Sequence, residues 1–318
     1  MPETIHLTAQ IPEEMADKRL DTVLAELFPD YSRSRLQQWI KSGQVWLDGK
    51  TGQRPKDKVS GGEQIRIEAE LEPAGDWQAE DITLEIVYED ESIIVINKPA
   101  GIVVHPAAGN RAGTLLNALL HHDPQLINIP RAGIVHRLDK DTSGLMVVAR
   151  TLKAQNSLVE QLQARTVKRE YEAVAVGVMT AGGKVDEPLG RHPKSRKRMA
   201  VVMNGKPAVT HYRVAERFRA HTHIRVQLET GRTHQIRVHM MFIHYPLVGD
   251  PTYGGRLQLP KGCGEEAREL LRNFRRQALH AVQLTIQHPE TGEEMSWQST
   301  LPEDMTHLLD VLRRDNET

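Results

Sequence analysis

Residues 133–149 read GIVHRLDKDTSGLMVVA, and the change of character within this stretch decides how its surroundings are read. Four charges and a histidine fall within the six residues His136 to Asp141, and Asp141-Thr142-Ser143-Gly144 supplies turn chemistry. Leu145 to Val148 then runs apolar, as a buried strand does. A polar loop set between core stretches is where functional side chains collect on a rigid scaffold. The same residues also describe a surface turn in which Asp141 or Ser143 caps the next element, and both readings stand at this level.

Working outward, Ile93 to Ile96 reads as a second buried strand, and residues 152–165 as a helix with Leu158 and Leu162 inward. Arg169 to Val176 alternates as a strand does. So does His223 to Leu228, with Ile224, Val226 and Leu228 on one face. Strands and helices mix without strict βαβ alternation. The expected class is therefore α+β, a mostly antiparallel mixed sheet flanked by helices and loops.

Two further stretches carry concentrated chemistry. In QARTVKREYEAVAVG (163–177), Tyr171 follows the cations Arg165, Lys168 and Arg169. An aromatic ring beside cations suits a nucleobase and its phosphates, although a lone Tyr in a strand is more often core. In LETGRTHQIRVHM (228–240), Thr230-Gly231 turns the chain. Thr233 is the expected cap of a helix with Ile236, Met240 and Ile243 inward, which presents Arg232 and Arg237 at its start. The competing reading is a pair of solvated arginines.

Ahead of this lies a smaller module. Leu20, Val23, Leu24 and Leu27 recur at helical spacing before Pro29. Ser32 can cap a second helix with the stripe Leu36, Trp39 and Ile40, stopped at Gly43. Strands at Val45–Leu47 and Ile65–Ile67 follow, with an Asp48-Gly49 turn between them. Arg33, Arg35 and Lys41 lie off the apolar stripe. The LEPAGDWQAE segment at 71–80 has no periodicity. The expected division is a small N-terminal α/β domain at 17–75, a linker at 76–82 and a larger domain at 83–318, with the ends before about 17 and after about 302 loosely held.

Among the 318 residues, 26% are charged and 39% hydrophobic, which fits an ordinary globular chain. No apolar run is long enough for a membrane span, and the N-terminus lacks the apolar core of a signal peptide. The single cysteine, Cys263, excludes a cysteine-rich zinc site and an internal disulfide, so a reducing, cytoplasmic setting is expected. The net charge of −1 conceals an uneven distribution. Residues 71–100 hold eight acids and one Lys, whereas residues 101–318 hold 30 Lys/Arg against 22 Asp/Glu. That split suits one electropositive face, although scattered surface charge produces it too. Fifteen histidines raise the possibility of a metal-dependent hydrolase. His234, His239 and His244 are spaced five apart, which spreads them around a helix instead of onto one ion.

In combination these stretches resemble a known family. His136 to Gly144 (HRLDKDTSG), Arg169 to Tyr171 (REY) and Leu228 to Arg237 (LETGRTHQIR) occur in the order of the RluA-type pseudouridine synthases. ESIIVINKPAGIVVHP (91–106), HYPLVGDPTYG (244–254), RQALHA (276–281) and His288-Pro289 extend the likeness. RLDTVL (19–24) and GQVWLDG (43–49) resemble the S4 RNA-binding module.

The resemblance implies isomerisation of uridine to pseudouridine in large-subunit (23S) ribosomal RNA, at the helix 69 stem-loop, by base flipping and without cofactor or metal. It implies Asp139 as the catalytic carboxylate, acting as nucleophile, charge stabiliser or proton relay. Tyr171 stacks on the target base and Arg237 pairs with Asp139. RNA contacts are implied for Arg33, Arg35 and Lys41 on the S4-like module and for His136, Arg137, Arg169 and Arg232 around the site. The basic run Arg191, Lys194, Arg196, Lys197 and Arg198 would hold the RNA backbone, or would be a solvated loop. The expected partner is ribosomal RNA or the assembling large subunit, with no membrane and no obligate protein partner. The alternative is a non-enzymatic RNA-binding assembly factor.

Overall fold

The computed structural model describes residues 4–29, 31, 33–51, 53–70, 77–106, 110–195 and 198–317. Ser32, Arg196 and Lys197 lie outside the described residues, as do residues 71–76, the end of the expected N-terminal domain and the first residue of the expected linker.

The N-terminal sheet starts earlier than expected. β1 (Thr4–Gln10) is followed by α1 (Leu20–Leu27), α2 (Arg33–Lys41), β2 (Val45–Leu47) and β3 (Gln64–Glu70), and the strand order is β1-β3-β2. β1 pairs antiparallel with β3 over seven residues. The stretch before residue 17 is therefore a sheet edge and not a loose end. Ile5, Leu7 and Ala9 alternate along β1 and pack on the module's core, the pattern a half-buried strand requires. The helical stripes Leu20, Val23, Leu24 and Leu36, Trp39, Ile40 are buried against Val45, Ile65 and Ile67.

The rest of the chain builds one large sheet. Its elements run β4 (Ile86–Glu89), β5 (Ile93–Lys98), α3 (Leu115–His122), β6 (Ser143–Ala149), α4 (Leu152–Ala164), β7 (Lys168–Val176) and β8 (Gly183–Asp186). They continue with β9 (Leu189–Arg191), β10 (Met199–Val201), β11 (Val209–Arg217), β12 (His221–Leu228), α5 (Gln235–Phe242) and α6 (Glu265–Asn273). β13 (Leu279–Gln287), β14 (Glu294–Gln298) and α7 (Glu303–Glu317) complete the order. The sheet order is β4-β5-β6-β13-β7-β12-β11-β8, with β14 also on β13, while β9 and β10 form a separate hairpin. β6 with β13 is the parallel pair; the other pairings in this sheet are antiparallel. The α+β expectation holds.

Both faces of this sheet are covered, which explains why residues 93–96 of β5 and 145–149 of β6 are apolar without alternation. Ile94, Ile96, Met146 and Val148 face a core shared with Leu116 and Leu119 of α3 and with Tyr171, Ala173, Ile224 and Val226. Ile93, Val95, Leu145 and Val147 face the opposite side, against Ala154 and Leu158 of α4. The end after residue 302, expected to be loose, is α7, whose Met305, Leu308, Leu309 and Leu312 are buried against Val174 and Phe274. Their three- and four-residue spacing is an amphipathic helix stripe. No helix among the described residues is long and apolar enough to cross a membrane.

The parallel junction places Ser143 and Gly144 beside His280 and Ala281. Gly144 has φ +116°, and a Cβ there would collide with the backbone N and O of Ala281. Backbone on both sides cannot yield, so Gly144→Ala is expected to destabilise the protein by about 3 kcal/mol or more. A thermal melt tests this; an unchanged midpoint would show that the two strands separate without cost.

Candidate active site

The loop between residues 134 and 142 is pinned at several points before it reaches β6. Its entry carries three successive left-handed residues, Arg131, Ala132 and Gly133 (φ 57°, 50° and 75°). His136 Nε2 accepts the Val147 N–H at 3.1 Å, and burial, with Arg169 adding, pushes the His136 pKa down to about 3. The ring is thus a neutral clamp on β6 rather than a cation for phosphate. Lys98, 1% exposed, donates to the carbonyls of Pro99, Ile102 and Lys140 at 2.7, 3.1 and 3.0 Å. Burial lowers its pKa to about 8 against the pull of Asp141 and Asp139. On the far side of the loop, Gln277 Nε2 donates to Thr142 Oγ1 at 2.9 Å, and Ser143 Oγ lies 2.8 Å from His280 Nδ1. The NKP and RQALHA stretches therefore serve to fix this loop.

Asp139 projects from it into a cleft. Arg237 Nη1, from the first turn of α5, donates to Asp139 Oδ2 at 2.9 Å. The Arg237 Nε and Nη2 donate to Asp250 Oδ2 and Oδ1 at 2.7 and 2.9 Å. The three side chains are 14%, 6% and 0% exposed, so one buried guanidinium joins two carboxylates. Burial works to lower the Arg237 pKa, but Asp250 first and then Asp139 outweigh it and raise it above the ordinary value. Burial also favours the neutral Asp250; the Arg237 bonds and the N–H groups of Thr252 and Tyr253 overcome this and hold it below the usual carboxylate range.

Period-two geometry places Arg169 and Tyr171 on one face of β7, and both line the cleft. The Tyr171 ring is buried and sits in register with Val226 of β12 and Ala281 of β13, and burial raises its pKa. The cleft holds about 870 Å³, within the span of sites that enclose small molecules, about 300–1,000 Å³. Arg131, Arg137, Arg169 and Arg232 line it, and none has a carboxylate partner among the described residues. Arg169 is 6% exposed, and a buried cation without a counter-charge is costly unless a ligand supplies one. Arg165, by contrast, pairs with Glu229 at 3.6 Å.

Other expected residues fall elsewhere. Arg191, Lys194 and Arg198 lie on or beside the β9–β10 hairpin, outside the cleft lining. Arg33 pairs with the buried Asp21 at 2.9 Å, Arg35 is half-buried, and Lys41 is exposed. Thr233 is not the cap of α5. His234 occupies that position in left-handed conformation without a capping bond. Gln235 closes the turn instead, its Oε1 accepting from Thr230 Oγ1 and from the Arg232 N–H at 2.7 and 3.0 Å. Sequence reading gave no role to Asp250, His234, Tyr253 or Arg131. A signal for Asp250 was present in Gly-Asp-Pro-Thr-Tyr, a turn in which Asp accepts the following N–H groups.

Comparison with known proteins gives the same assignment. Residues 92–241 match the RNA pseudouridylate synthase family and residues 18–65 the S4 domain. Over 317 residues the chain is 60% identical to Ribosomal large subunit pseudouridine synthase D of Pseudomonas aeruginosa, spanning 100% of this chain and 99% of that protein. The chain belongs to the RNA pseudouridylate synthase family. It is 59% identical to the protein of the same name from Escherichia coli (strain K12), spanning 100% of this chain and 97% of that one. The solved structure of Human RNA Pseudouridylate Synthase Domain Containing 4 superposes with a TM-score of 0.56 at 27% identity, over 72% of this chain and 93% of that one. As a pseudouridine synthase, the chain isomerises uridine in RNA, so the reading as a non-enzymatic assembly factor falls.

Proposed function

We propose that this chain converts uridines of large-subunit ribosomal RNA to pseudouridine, with Asp139 as the catalytic carboxylate, in the cytoplasm. The observation that carries the assignment is Asp139 itself, fixed by Arg237 in a cleft lined by four arginines that have no carboxylate partner among the described residues. The names of the relatives support the substrate class. The isomerisation breaks the N1–C1′ bond and forms a C5–C1′ bond; the C5 hydrogen leaves as a proton and N1 gains one. Asp139 Oδ2 is taken by Arg237, which leaves Oδ1 for the sugar carbon or for charge developing on it. Tyr171 offers a ring face to the extruded base, and leaving the stack costs a few kcal/mol. Arg137, exposed and next to the catalytic loop's apolar Leu138, fills the vacated space. Arg131, Arg169 and Arg232 take phosphates, while the S4-like module, read from the sequence as 17–75 and completed by β1, is joined through 76–82 to the catalytic region at 83–318 and holds a more distant part of the RNA.

The assay is tritium release from C5-labelled uridine in unmodified large-subunit RNA, run on naked RNA and on assembling particles, with the modified position mapped. Release at helix 69 supports the reading, and faster release on particles makes the assembling subunit the substrate. Release only from small-subunit or transfer RNA would overturn the proposed substrate and leave the isomerase.

A further inference from the structure

One phenol joins the basic hairpin to the site. Tyr253 is 3% exposed, and its backbone N–H donates to Asp250. Its ring takes the guanidinium of Arg237 at 5.1 Å and that of Arg198, the last residue of the basic run, at 5.2 Å. Its hydroxyl accepts the Met199 N–H from β10 at 2.8 Å and lies 2.8 Å from His234 Nδ1. Thus Tyr253 touches Arg237, Asp250 and His234, the groups gathered around Asp139.

These contacts settle a tautomer. With Met199 donating to the hydroxyl, a protonated Nδ1 would leave the hydroxyl's own hydrogen, in a buried place, without an acceptor among the described residues. The arrangement that satisfies every group has the hydroxyl donating to Nδ1. The imidazole proton then sits on Nε2, the atom 3.8 Å from Asp139 Oδ1. His234 reaches this position from a left-handed backbone (φ 57°, ψ 21°), which costs a residue with a Cβ about 1–3 kcal/mol. The two rings meet edge to face, with centroids 5.6 Å apart at 75°.

We propose that Tyr253 is a positioning residue for pseudouridine formation: it holds His234 as the Nε2–H tautomer facing Oδ1 of Asp139 and ties that carboxylate to the β9–β10 hairpin. The proposal rests on Asp139 being the reacting carboxylate. Arg237 fixes Oδ2, and the His234 N–H, 3.8 Å from Oδ1, turns the positive end of its dipole toward the oxygen left for the sugar carbon. Because the Met199 N–H orients the phenol and Arg198 lies over its ring, RNA engaging Arg198 acts on the carboxylate through Tyr253.

Two measurements test this. Nitrogen-15 spectra of histidine-labelled wild-type protein are expected to show His234 protonated at Nε2 with Nδ1 accepting, a signature lost in Tyr253→Phe. A protonated Nδ1 in the wild type overturns the proposal whether or not the variant folds. In single- and multiple-turnover tritium release, Tyr253→Phe is expected to lower kcat by about 10- to 100-fold with KM within about twofold. His234→Asn should give a similar loss, and the double variant should be no worse than either single one. Unchanged kcat, losses that add, or a parallel rise in KM overturn the coupling. Asp139→Asn is run alongside: turnover by that variant ends the catalytic reading of Asp139 whatever Tyr253 does, whereas a silent Asp139→Asn beside a fully active Tyr253→Phe ends only the inference about Tyr253.

Discussion

Asp139→Asn is expected to abolish pseudouridine formation while the fold and the affinity for RNA stay near those of the wild type. The amide is nearly isosteric and its oxygen still accepts from Arg237 Nη1, so the loop keeps its place. Arg237 retains its paired bonds to Asp250, and a cation shared by two carboxylates becomes a one-to-one pair. No buried charge is left uncompensated. What disappears is the negative charge and the nucleophilic oxygen beside C1′. A loss of about 10⁴-fold or more is expected, equivalent to about 5.5 kcal/mol of barrier. Single-turnover tritium release with excess enzyme measures it, and fluorescence anisotropy gives the affinity. Turnover within tenfold of the wild type would place the chemistry on another group.

Arg237→Met is expected to cost both activity and stability. Asp250 is fully buried in its side chain, and the substitution leaves it with backbone N–H groups but no cation. Breaking a buried pair from one side costs about 3–5 kcal/mol. The melting midpoint is expected to fall by about 10 °C at pH 7 for a chain of this size. The pH dependence follows from the sign of the Asp250 shift. In the wild type its folded pKa is depressed, so this group's contribution is present above the ordinary carboxylate pKa and lost as pH falls through the folded value. In the variant burial prevails, the folded pKa lies above the ordinary value, and acid relieves the buried charge. The gap between the two midpoints should therefore narrow as pH falls from 7 toward 4. A gap that widens on acidification would mean that Asp250 is stabilised by something other than Arg237.

The three cleft-lining stretches were legible because each concentrates polar groups where the neighbouring pattern demands core. Asp139 and Arg237, 98 residues apart, do meet. The strand carrying Arg169 and Tyr171 followed from its alternation, whereas their place in the site came from the family resemblance. What stayed hidden is who pairs with whom. Arg33 and His136 read as RNA contacts, yet one is engaged by Asp21 and the other accepts a backbone N–H, since a charge or ring in sequence does not name its partner. Asp250 and Tyr253 were visible only as part of a motif, because their work depends on a side chain brought in by another element. At the ends the information was present but discounted: Ile5, Leu7 and Ala9 alternate, and Met305, Leu308, Leu309 and Leu312 fall on one helical stripe. Terminal position was given more weight than periodicity.

The order in which a ribosome delivers this chain bears on when it can act. Asp139 belongs to the loop leading into β6 and Tyr171 to β7, but these strands are not neighbours; β13 lies between them. His280, which meets Ser143 across that junction, is synthesised 137 residues later. A nascent chain therefore completes its S4-like module, with the pairings of β1, β2 and β3, long before it can bring the carboxylate and the tyrosine to their spacing across β13. Catalytic competence is gained in the last stage of synthesis, and a product truncated ahead of β13 would carry an RNA-gripping module with no means of modifying what it holds.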